Sequence, residues 1–584
     1  MRSRDPSESH SWTSLILQYI FVIRILTIGR WKYQEFIRQS SDVAKQQQQF
    51  LLNLVNEARN TEYGRKYKFA EISNVEQYRR QVPLSTYEDY RALIDRMMET
   101  DAGDLVVSGK AAMYGTASGT TGLNKYLAYS KDAWHKNMIY FRYMDRYIEY
   151  QHGITARIQL RKLLDVQVGS KPKLNRFGKQ IGGILMLIGE QPFTIKPECI
   201  RGHPLEESVL MYILARVALQ ESELQFIQGS YPTVLVSFLK TIETRWSEIC
   251  DDIETGALTD NLDIEPDIRR QIVRDLWPDP LRADILRAEF SKGFDKLLSR
   301  VWPGLQMVSQ VTSGAFTYLS SVTKTKYLND SVAMESVCYG ATEGFHGVKI
   351  PEVPSGHYVP MLSLQFFEFI PRDERDKPEP ITVLAHQLVE DEEYELVSSG
   401  LFGIYRYRTG DQVRVTGYWN QLPILLMQGR AGDLLNVLWE KVPETVFQSA
   451  IEGAIDELSD VELVNYTATE NTHWQAITGE DNNDDKIRFY VLFIEIQGTS
   501  VLTTEQKMKF DESLTSKFVA YRSLRENGSI SRMRVYQLKP GTFNQLKLLH
   551  LKLNPIANSN QFKQPRATRE KTRLQLIKTN IIPS

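Results

Sequence analysis

An α/β fold, with a large N-terminal domain of β-sheets and packed helices and a smaller C-terminal α+β domain, is predicted by three features of the sequence. The chain has 584 residues, too many for a single hydrophobic core, so two or more domains are expected. Helical patterns dominate from residue 46 to residue 253, and short β-rich runs dominate between 301 and 418, ending on loops of glycine, hydroxyl and carboxylate residues. After Arg430, which sits between Gly429 and Gly432, strands and helices alternate again over a segment of ordinary domain size. The expected division is an apolar segment over 1–45, a large domain over 46–430 and a small domain over 431–584. The glycines around Arg430 make 428–433 the best hinge, and so make the small domain mobile.

Within the first segment, residues 15–28 are strongly apolar. Gln18 and Arg24 interrupt them, and the run is shorter than the roughly 20 residues a spanning helix needs. No small-residue cleavage site follows, since Thr27-Ile28-Gly29-Arg30 is a poor match. Two expectations stay open: an interfacial helix that associates residues 12–30 with a membrane, such as that of the endoplasmic reticulum, and a helix packed on the main domain.

In the large domain, residues 46–98 carry a helical pattern with polar breaks. Pro83 ends one element there, and Ser85 or Thr86 with Glu88 and Asp89 begins the next. Trp134, Met138, Phe141 and Tyr147 recur at helical spacing over 131–150, a face expected in the core. Further helices are predicted over 208–223 and 232–253. The second ends in Glu248, Asp251, Asp252 and Glu254, an acidic group expected as a solvated helix end rather than a cation site. Strands are predicted over 305–311, 336–339, 362–370, 394–397, 405–408 and 412–418, with Thr409-Gly410-Asp411 as a turn joining the last two. In the small domain a helix over 443–458, strands over 461–469 and 487–495, a helix over 504–524 and a strand over 533–538 are expected.

Composition removes several classes of function. Seventy basic against seventy-two acidic residues leave a formal net charge of −2, so there is no bulk field for nucleic acid or for an anionic membrane. Partners should be small molecules or proteins. Cys199, Cys250 and Cys338 are far apart and odd in number, which indicates neither a disulfide framework nor a zinc site and suits a reducing, cytoplasmic setting. None of the nine histidines has metalloprotease spacing.

The stretch that carries chemistry is Tyr114-Gly115-Thr116-Ala117-Ser118-Gly119-Thr120-Thr121-Gly122-Leu123-Asn124-Lys125. Hydroxyls alternate with glycines between two strand-like runs, so backbone N–H groups and side-chain donors can converge on an anion, for which phosphate is the natural guest. The Walker pattern fails, because Thr120 stands where its second glycine should be. The nucleophile elbow fails as well, because Ser118 is three residues after Gly115 and the chain re-enters a strand. Taken alone, the stretch reads more readily as an ordinary hairpin turn than as a ligand loop.

Three more elements follow it in order: Tyr339-Gly340-Ala341-Thr342-Glu343-Gly344, Tyr405-Arg406-Tyr407-Arg408-Thr409-Gly410-Asp411, and the late lysine Lys563. This series resembles the adenylate-forming superfamily, which activates carboxylic acids with ATP. Further stretches narrow the likeness: Val82-Pro83-Leu84-Ser85-Thr86-Tyr87-Glu88-Asp89, Trp302-Pro303-Gly304, Phe366-Phe367-Glu368-Phe369-Ile370-Pro371, Tyr394-Glu395-Leu396-Val397, Glu440-Lys441 and Gln561-Phe562-Lys563-Gln564-Pro565-Arg566. With these the chain resembles the Gretchen Hagen family of acyl-acid amido synthetases, the auxin-responsive family named from plants. The likeness covers nearly everything after residue 50. The two-residue spacer Leu123-Asn124 is shorter than usual in such loops, and the apolar N-terminus is closer to animal members than to plant ones.

The resemblance implies ATP and Mg2+, a carboxylic-acid substrate and an amine acceptor, in particular an amino acid. It implies that Ser118, Gly119, Thr120, Thr121 and Gly122 cradle the phosphates with Lys125 nearby. Thr342 would bond the α-phosphate, Glu343 would help hold Mg2+, and Tyr339 with Gly340 would lie at the adenine. Asp411 would take the ribose hydroxyls, and Arg430 would assist from the hinge. Lys563 would neutralise charge developing at the carboxylate and α-phosphate and be withdrawn as the small domain rotates. Its competing role is a lysine in a basic tail, since Arg566, Arg569, Lys571 and Arg573 follow. Two other functions stay open: an adenylating ligase with a thiol acceptor such as coenzyme A, and a binding or regulatory protein that keeps the fold without turnover.

Overall fold

The computed structural model describes residues 12–117, 125–155, 159, 162–167, 173–184, 187, 194–195, 200, 205–229, 231–313, 316–430, 435–438, 440, 442–458, 461–479, 488–497, 501–554 and 562–583. The loop residues Ser118, Gly119, Thr120, Thr121 and Gly122, together with Cys199, Gly314, Ala315, residues 431–433 of the expected hinge, Lys441, Ile487 and Gln561, lie outside the described residues.

The fold is α/β. Residues 43–100 form helices, of which Val43–Ala58 and Val75–Gln81 start at side-chain caps: Asp42 accepts from the Lys45 N–H and Asn74 from the Gln77 N–H, whereas Glu88–Thr100 starts after Tyr87 with no side-chain cap from Ser85 or Thr86. They pack an aromatic cluster, Tyr63, Tyr78 and Tyr90, against Tyr405 from the sheet. An eight-stranded antiparallel sheet runs in the order Val383–Leu384, Gln365–Pro371, Glu393–Gly400, Ile404–Trp419, Leu422–Arg430, His357–Pro360, Gly344–Val348, Cys338–Ala341. A second sheet is wholly parallel: Leu163–Asp165, Phe226–Gln228, Met307–Ser309 and Ala333–Glu335. Parallel neighbours need long crossovers, and helices including Glu207–Gln220, Pro232–Thr255 and Thr317–Tyr327 supply them. Alternation divides its side chains: Leu164, Ile227 and Val308 join the helical core, while Leu163, Phe226 and Met307 form a separate small cluster.

Three departures from the sequence expectations have clear causes. Residues 405–418 are one strand, Ile404–Trp419, rather than two strands and a turn. Glu395 pairs with Gln412 and Val397 with Arg408, so the three residues 409–411 lie opposite the single Leu396 and are absorbed as a bulge. Gly410 takes φ +76°, and the Thr409 hydroxyl donates to the Leu396 carbonyl (2.9 Å) while accepting from the Asp411 N–H (3.1 Å). The helix Thr317–Tyr327 falls where only β-rich runs were expected. Ser320, Thr323 and Tyr327 are buried along one face of it, so packing holds a threonine-rich segment helical against its local preference. The helix expected over 504–524 is two, Thr504–Lys517 and Val519–Glu526, broken where Phe518 is extended. The acidic helix end over 248–254 is only partly solvated: Asp251 and Glu254 pair with Arg287, whereas Asp252 is buried and accepts from the Tyr212 hydroxyl (2.8 Å).

Residues 12–39 form the helix Trp12–Arg24, a π turn over Ile25–Gly29 and the helix Arg30–Gln39. Ile25, Tyr33 and Phe36 are buried against the sheet core. Gly29 meets a second π turn, Tyr140–Met144, so closely that a Cβ there would lie 2.4 Å from the Tyr143 carbonyl oxygen. No described helix is long and apolar enough to cross a membrane.

Beyond residue 434, a three-stranded sheet pairs Leu463–Glu470 antiparallel and Arg534–Gln537 parallel with the central Tyr490–Ile496. Helices cover both its faces. Tyr490, Leu492 and Ile494 face the cluster that includes Phe447 and Phe510, while Val491 and Phe493 face Trp474, Phe543 and Leu574. Residues 566–568 run beside the first strand through the parallel bridge between Ala468 and Ala567.

Candidate active site

Two β-hairpins from distant parts of the chain meet at the site. In the first, Met113–Ala117 pairs with Lys125–Tyr129, with Gly115 opposite Leu127. In the second, Cys338–Ala341 turns through Thr342 and Glu343 into Gly344–Val348. The Tyr129 ring crosses Gly115, where a Cβ would come within 2.0 Å of its hydroxyl oxygen. That hydroxyl donates to the Thr342 carbonyl (2.7 Å), and the Thr342 hydroxyl donates to the Thr116 carbonyl (3.2 Å). Gly344 is required in a second way: its φ is +151°, and a Cβ there would strike Gln365. Gly115→Ala should therefore displace Tyr129 and loosen the Thr342 turn, lowering stability by roughly 1–3 kcal/mol as an overpacked core site. Urea denaturation of parent and variant checks this, and a change below about 0.5 kcal/mol would contradict it.

Asp411 and Arg430 face each other in register on adjacent strands. Arg430 Nε donates to Asp411 Oδ1 (2.7 Å), and the Tyr339 hydroxyl donates to Oδ2. Burial opposes the charge on Asp411, but Arg430 and the Tyr339 hydroxyl outweigh it and hold the carboxyl below the usual carboxylate range. Tyr339, buried and next to that charge, is pushed far above the ordinary tyrosine value. Glu343 is buried beside the pair, and its charge adds to burial in raising Tyr407. Gly340 is held close to Phe345, 3.1 Å from where its Cβ would be.

Behind Tyr339 lies His346, 2 % exposed, with neither ring nitrogen hydrogen-bonded to a described residue. Burial depresses its pKa, and the pull of Asp411 and Glu343 does not restore it. The folded state then binds fewer protons than the unfolded one in acid, so this contribution is intact above the unfolded value of about 6.5 and is lost as pH falls below it. The slope is up to about 1.4 kcal/mol per pH unit. Urea midpoints at about pH 7.5 and about pH 5.5 should diverge less in His346→Phe than in the parent. Parallel profiles would remove the assignment.

Lys563 reaches the site from the other end of the chain. The Pro565 and Arg566 carbonyls accept from the Thr467 hydroxyl (2.7 Å) and the Ala468 N–H (2.9 Å). The Arg566 guanidinium lies 4.3 Å from the Tyr466 ring centroid and donates to Asn465 Oδ1 (2.6 Å). Arg569 forks onto Glu470 with contacts of 3.0 and 2.5 Å. These arginines anchor the segment to the sheet, Arg566 buried and Arg569 still exposed, and Lys563 projects to within 5.7 Å of the Phe316 ring centroid.

One cavity of about 290 Å³ collects these groups. Lys125, Tyr339, Gly340, Thr342, Glu343, Asp411, Arg430 and Lys563 all line it, as do the less polar Ile184, Val311 and Phe316. Sequence inspection missed Thr116 and Tyr407, although both sit inside stretches singled out for other residues. It also missed His550 and Arg573, whose side chains meet at 2.9 Å on the cavity wall. Burial and the Arg573 charge lower the His550 pKa. Neither residue belongs to a motif, so only the packing of two late helices reveals them. Among the described residues no cluster of three or more His, Cys, Asp or Glu could hold a metal ion. Of the two buried carboxylates in the cavity, Asp411 is engaged by Arg430 and Tyr339, and Glu343 suits a Mg2+ ion whose other ligands are water and phosphate.

Comparison with known proteins gives a consistent result. The GH3 family N-terminal domain matches residues 32–331, the GH3 family central domain residues 358–430 and the GH3 family C-terminal domain residues 445–572. Jasmonoyl–L-amino acid synthetase JAR4 of Nicotiana attenuata is 25 % identical, covering 94 % of this chain and 96 % of its own. Indole-3-acetic acid-amido synthetase GH3.5 of Arabidopsis thaliana is 23 % identical, with 97 % and 95 % covered. A GH3 domain-containing protein of Mus musculus is 29 % identical over 53 % of this chain and 57 % of its own. The solved structure of the GH3.15 acyl acid amido synthetase superposes with a TM-score of 0.80 at 21 % identity, covering 94 % of this chain and 96 % of its own.

Proposed function

This chain belongs to the GH3 family, and we propose that it is an ATP-dependent acyl-acid amido synthetase. It would join a carboxylic acid to an amine, in particular an amino acid, through an acyl adenylate. The observation that carries the proposal is the convergence of Lys563, from the late chain, with Thr342, Glu343, Asp411 and Arg430 on one cavity. In this proposal 46–430 bind ATP and acid, and 431–584 form a small domain that turns about the segment near Arg430.

Adenylation needs little covalent help from the protein. A carboxylate oxygen bonds to the α-phosphorus, the bond to pyrophosphate breaks, and the barrier is set by alignment and charge. Lys125 and the loop 118–122 would face the phosphates, Thr342 the α-phosphate and Lys563 the carboxylate. Asp411, ionised through Arg430 and Tyr339, would accept from the ribose hydroxyls, with Tyr339 and Gly340 beside the base. Mg2+ would be held by Glu343 and would neutralise phosphate charge. In the second step the amine nitrogen attacks the acyl carbon, the carbon–oxygen bond to AMP breaks and the amine gives up a proton. Ile184, Val311 and Phe316 offer the apolar surface that the body of an organic acid requires.

ATP–pyrophosphate exchange across a panel of carboxylic acids tests the first step. Exchange with at least one acid is expected. Its absence with every acid, together with no ATP binding by calorimetry, would replace this proposal with a non-catalytic binding protein. Mass spectrometry with amino acids and coenzyme A both present would then read the acceptor, and an acyl thioester as the sole product would overturn the amine assignment.

A further inference from the structure

The N-terminal helix is apolar on both sides, and only one of them is covered. Phe21, Ile25, Tyr33 and Phe36 pack inward. On the opposite side Ile16 is 56 % exposed, Tyr19 72 %, Ile20 40 % and Ile23 56 %. At 100° per residue these four fall within an arc of about 100°, directly opposite Phe21 and Ile25. Leu17 and Leu26 on the flanks, and Trp31 beyond the π turn, are exposed as well. A helix that is hydrophobic all round belongs in a protein core or in lipid, and a contiguous uncovered patch of this kind marks an interaction surface.

We propose that this outer face is a membrane-interface anchor that lays the helix flat on an anionic bilayer. Charge selects the partner. No Asp or Glu occurs from residue 12 to residue 34, whereas Arg24 and Arg30 are exposed beside the apolar arc. That pattern, an apolar face edged by arginines with Tyr and Trp at either end, fits acyl chains below and anionic headgroups at the rim. A second copy of the chain fits less well. A two-fold contact through this face would bring the arginines of both copies together with no carboxylate in the segment to offset them. The inner face holds the helix to the body of the protein, so the anchor tethers the whole chain without spanning the bilayer. This surface is independent of the cavity and of the reaction assigned to it.

Flotation of the full chain with phosphatidylcholine vesicles, with and without phosphatidylserine, tests the proposal. The chain should float with the phosphatidylserine vesicles and much less with phosphatidylcholine alone. Ile20→Glu with Ile23→Glu should reduce bound protein about ten-fold at unchanged Tm. If that variant unfolds, Arg24→Gln with Arg30→Gln keeps the packing and should weaken binding to the anionic vesicles selectively. Failure to float with either vesicle would overturn the assignment. So would equal flotation of the variants, or a concentration-dependent dimer, abolished by the glutamates, in a chain that ignores vesicles. Exchange activity in the absence of vesicles should be the same for parent and variants.

Discussion

Replacing Lys563 with alanine should lower acid-dependent ATP–pyrophosphate exchange by about 10²-fold while leaving ATP affinity within a few-fold of the parent. A cation that meets charge developing only as the carboxylate approaches the α-phosphorus acts on the rate rather than on ground-state binding. The structural reason to expect so large an effect is the anchoring of its loop. Pro565, Arg566 and Arg569 are tied to the strand Leu463–Glu470 by hydrogen bonds, ring contact and a bidentate ion pair, so Lys563 is presented at a defined place. A positioned charge needs no reorganisation at the moment of reaction. Arg569→Ala, which cuts the fork to Glu470 without touching the cavity wall, should reproduce part of the loss. An unchanged exchange rate in Lys563→Ala would remove that residue from the adenylation machinery while leaving the fold assignment intact.

Replacing Glu368 with alanine should cost about 3–5 kcal/mol of stability, because it strands a buried guanidinium. Glu368 is fully buried, and Arg406 is 7 % exposed. Arg406 Nε and Nη2 meet the two carboxylate oxygens at 3.0 Å each, and Nη1 donates to the Arg79 and Val82 carbonyls at 2.8 Å. The Thr382 hydroxyl donates to the same carboxylate at 2.6 Å. Arg406 also adopts φ +49°, a conformation a non-glycine residue holds only when its surroundings over-determine it. Ser85 closes the arrangement: its N–H donates to the Arg406 carbonyl (2.9 Å) and its hydroxyl to the Tyr405 carbonyl (2.8 Å). The network lies on the strand that goes on to present Asp411, so its loss should loosen the site as well as the sheet. Urea denaturation monitored by tryptophan fluorescence measures the effect. A loss below about 1 kcal/mol would show that water reaches Arg406 and that the pair is not the linchpin described here.

These two predictions mark different degrees of legibility in the sequence. Lys563 stands in the sequence as the last member of an ordered series, whereas the binding of Arg566 and Arg569, from the basic run that follows it, to Tyr466, Asn465 and Glu470 belongs to the folded chain alone. Glu368 and Arg406 both lay inside stretches that carried the family resemblance, yet nothing in a linear pattern joins residues 38 positions apart. The Ser85 stretch, equally prominent, proves to be the strap over that pair. Glu440, from another such stretch, accepts from the Val437 and Leu438 N–H groups and from the Tyr490 hydroxyl, holding the chain as it enters the late sheet.

Periodicity located the helices well wherever one face is buried, as for Pro232–Thr255 and Glu444–Asp456. It failed where tertiary partners override local preference: the bulge at 409–411, the threonine-rich helix Thr317–Tyr327 and the break at Phe518. The apolar N-terminal run is the sharpest instance, since packed and interfacial helices have the same composition. The structure shows one face buried and leaves the other face uncovered.

By itself, then, the sequence determined the α/β class, the order of the chemical motifs and, through that order, the family to which the chain belongs. Those properties reside in residue type and spacing, which a linear chain displays directly. Only the tertiary structure decided that Lys563 shares a cavity with Thr342, Asp411 and Arg430, that Arg406 is spent on Glu368, and that His550 and Arg573 stand at the site at all. Burial, charge pairing and hydrogen-bond partnership are properties of groups brought together from distant positions, and they exist only after the chain has folded.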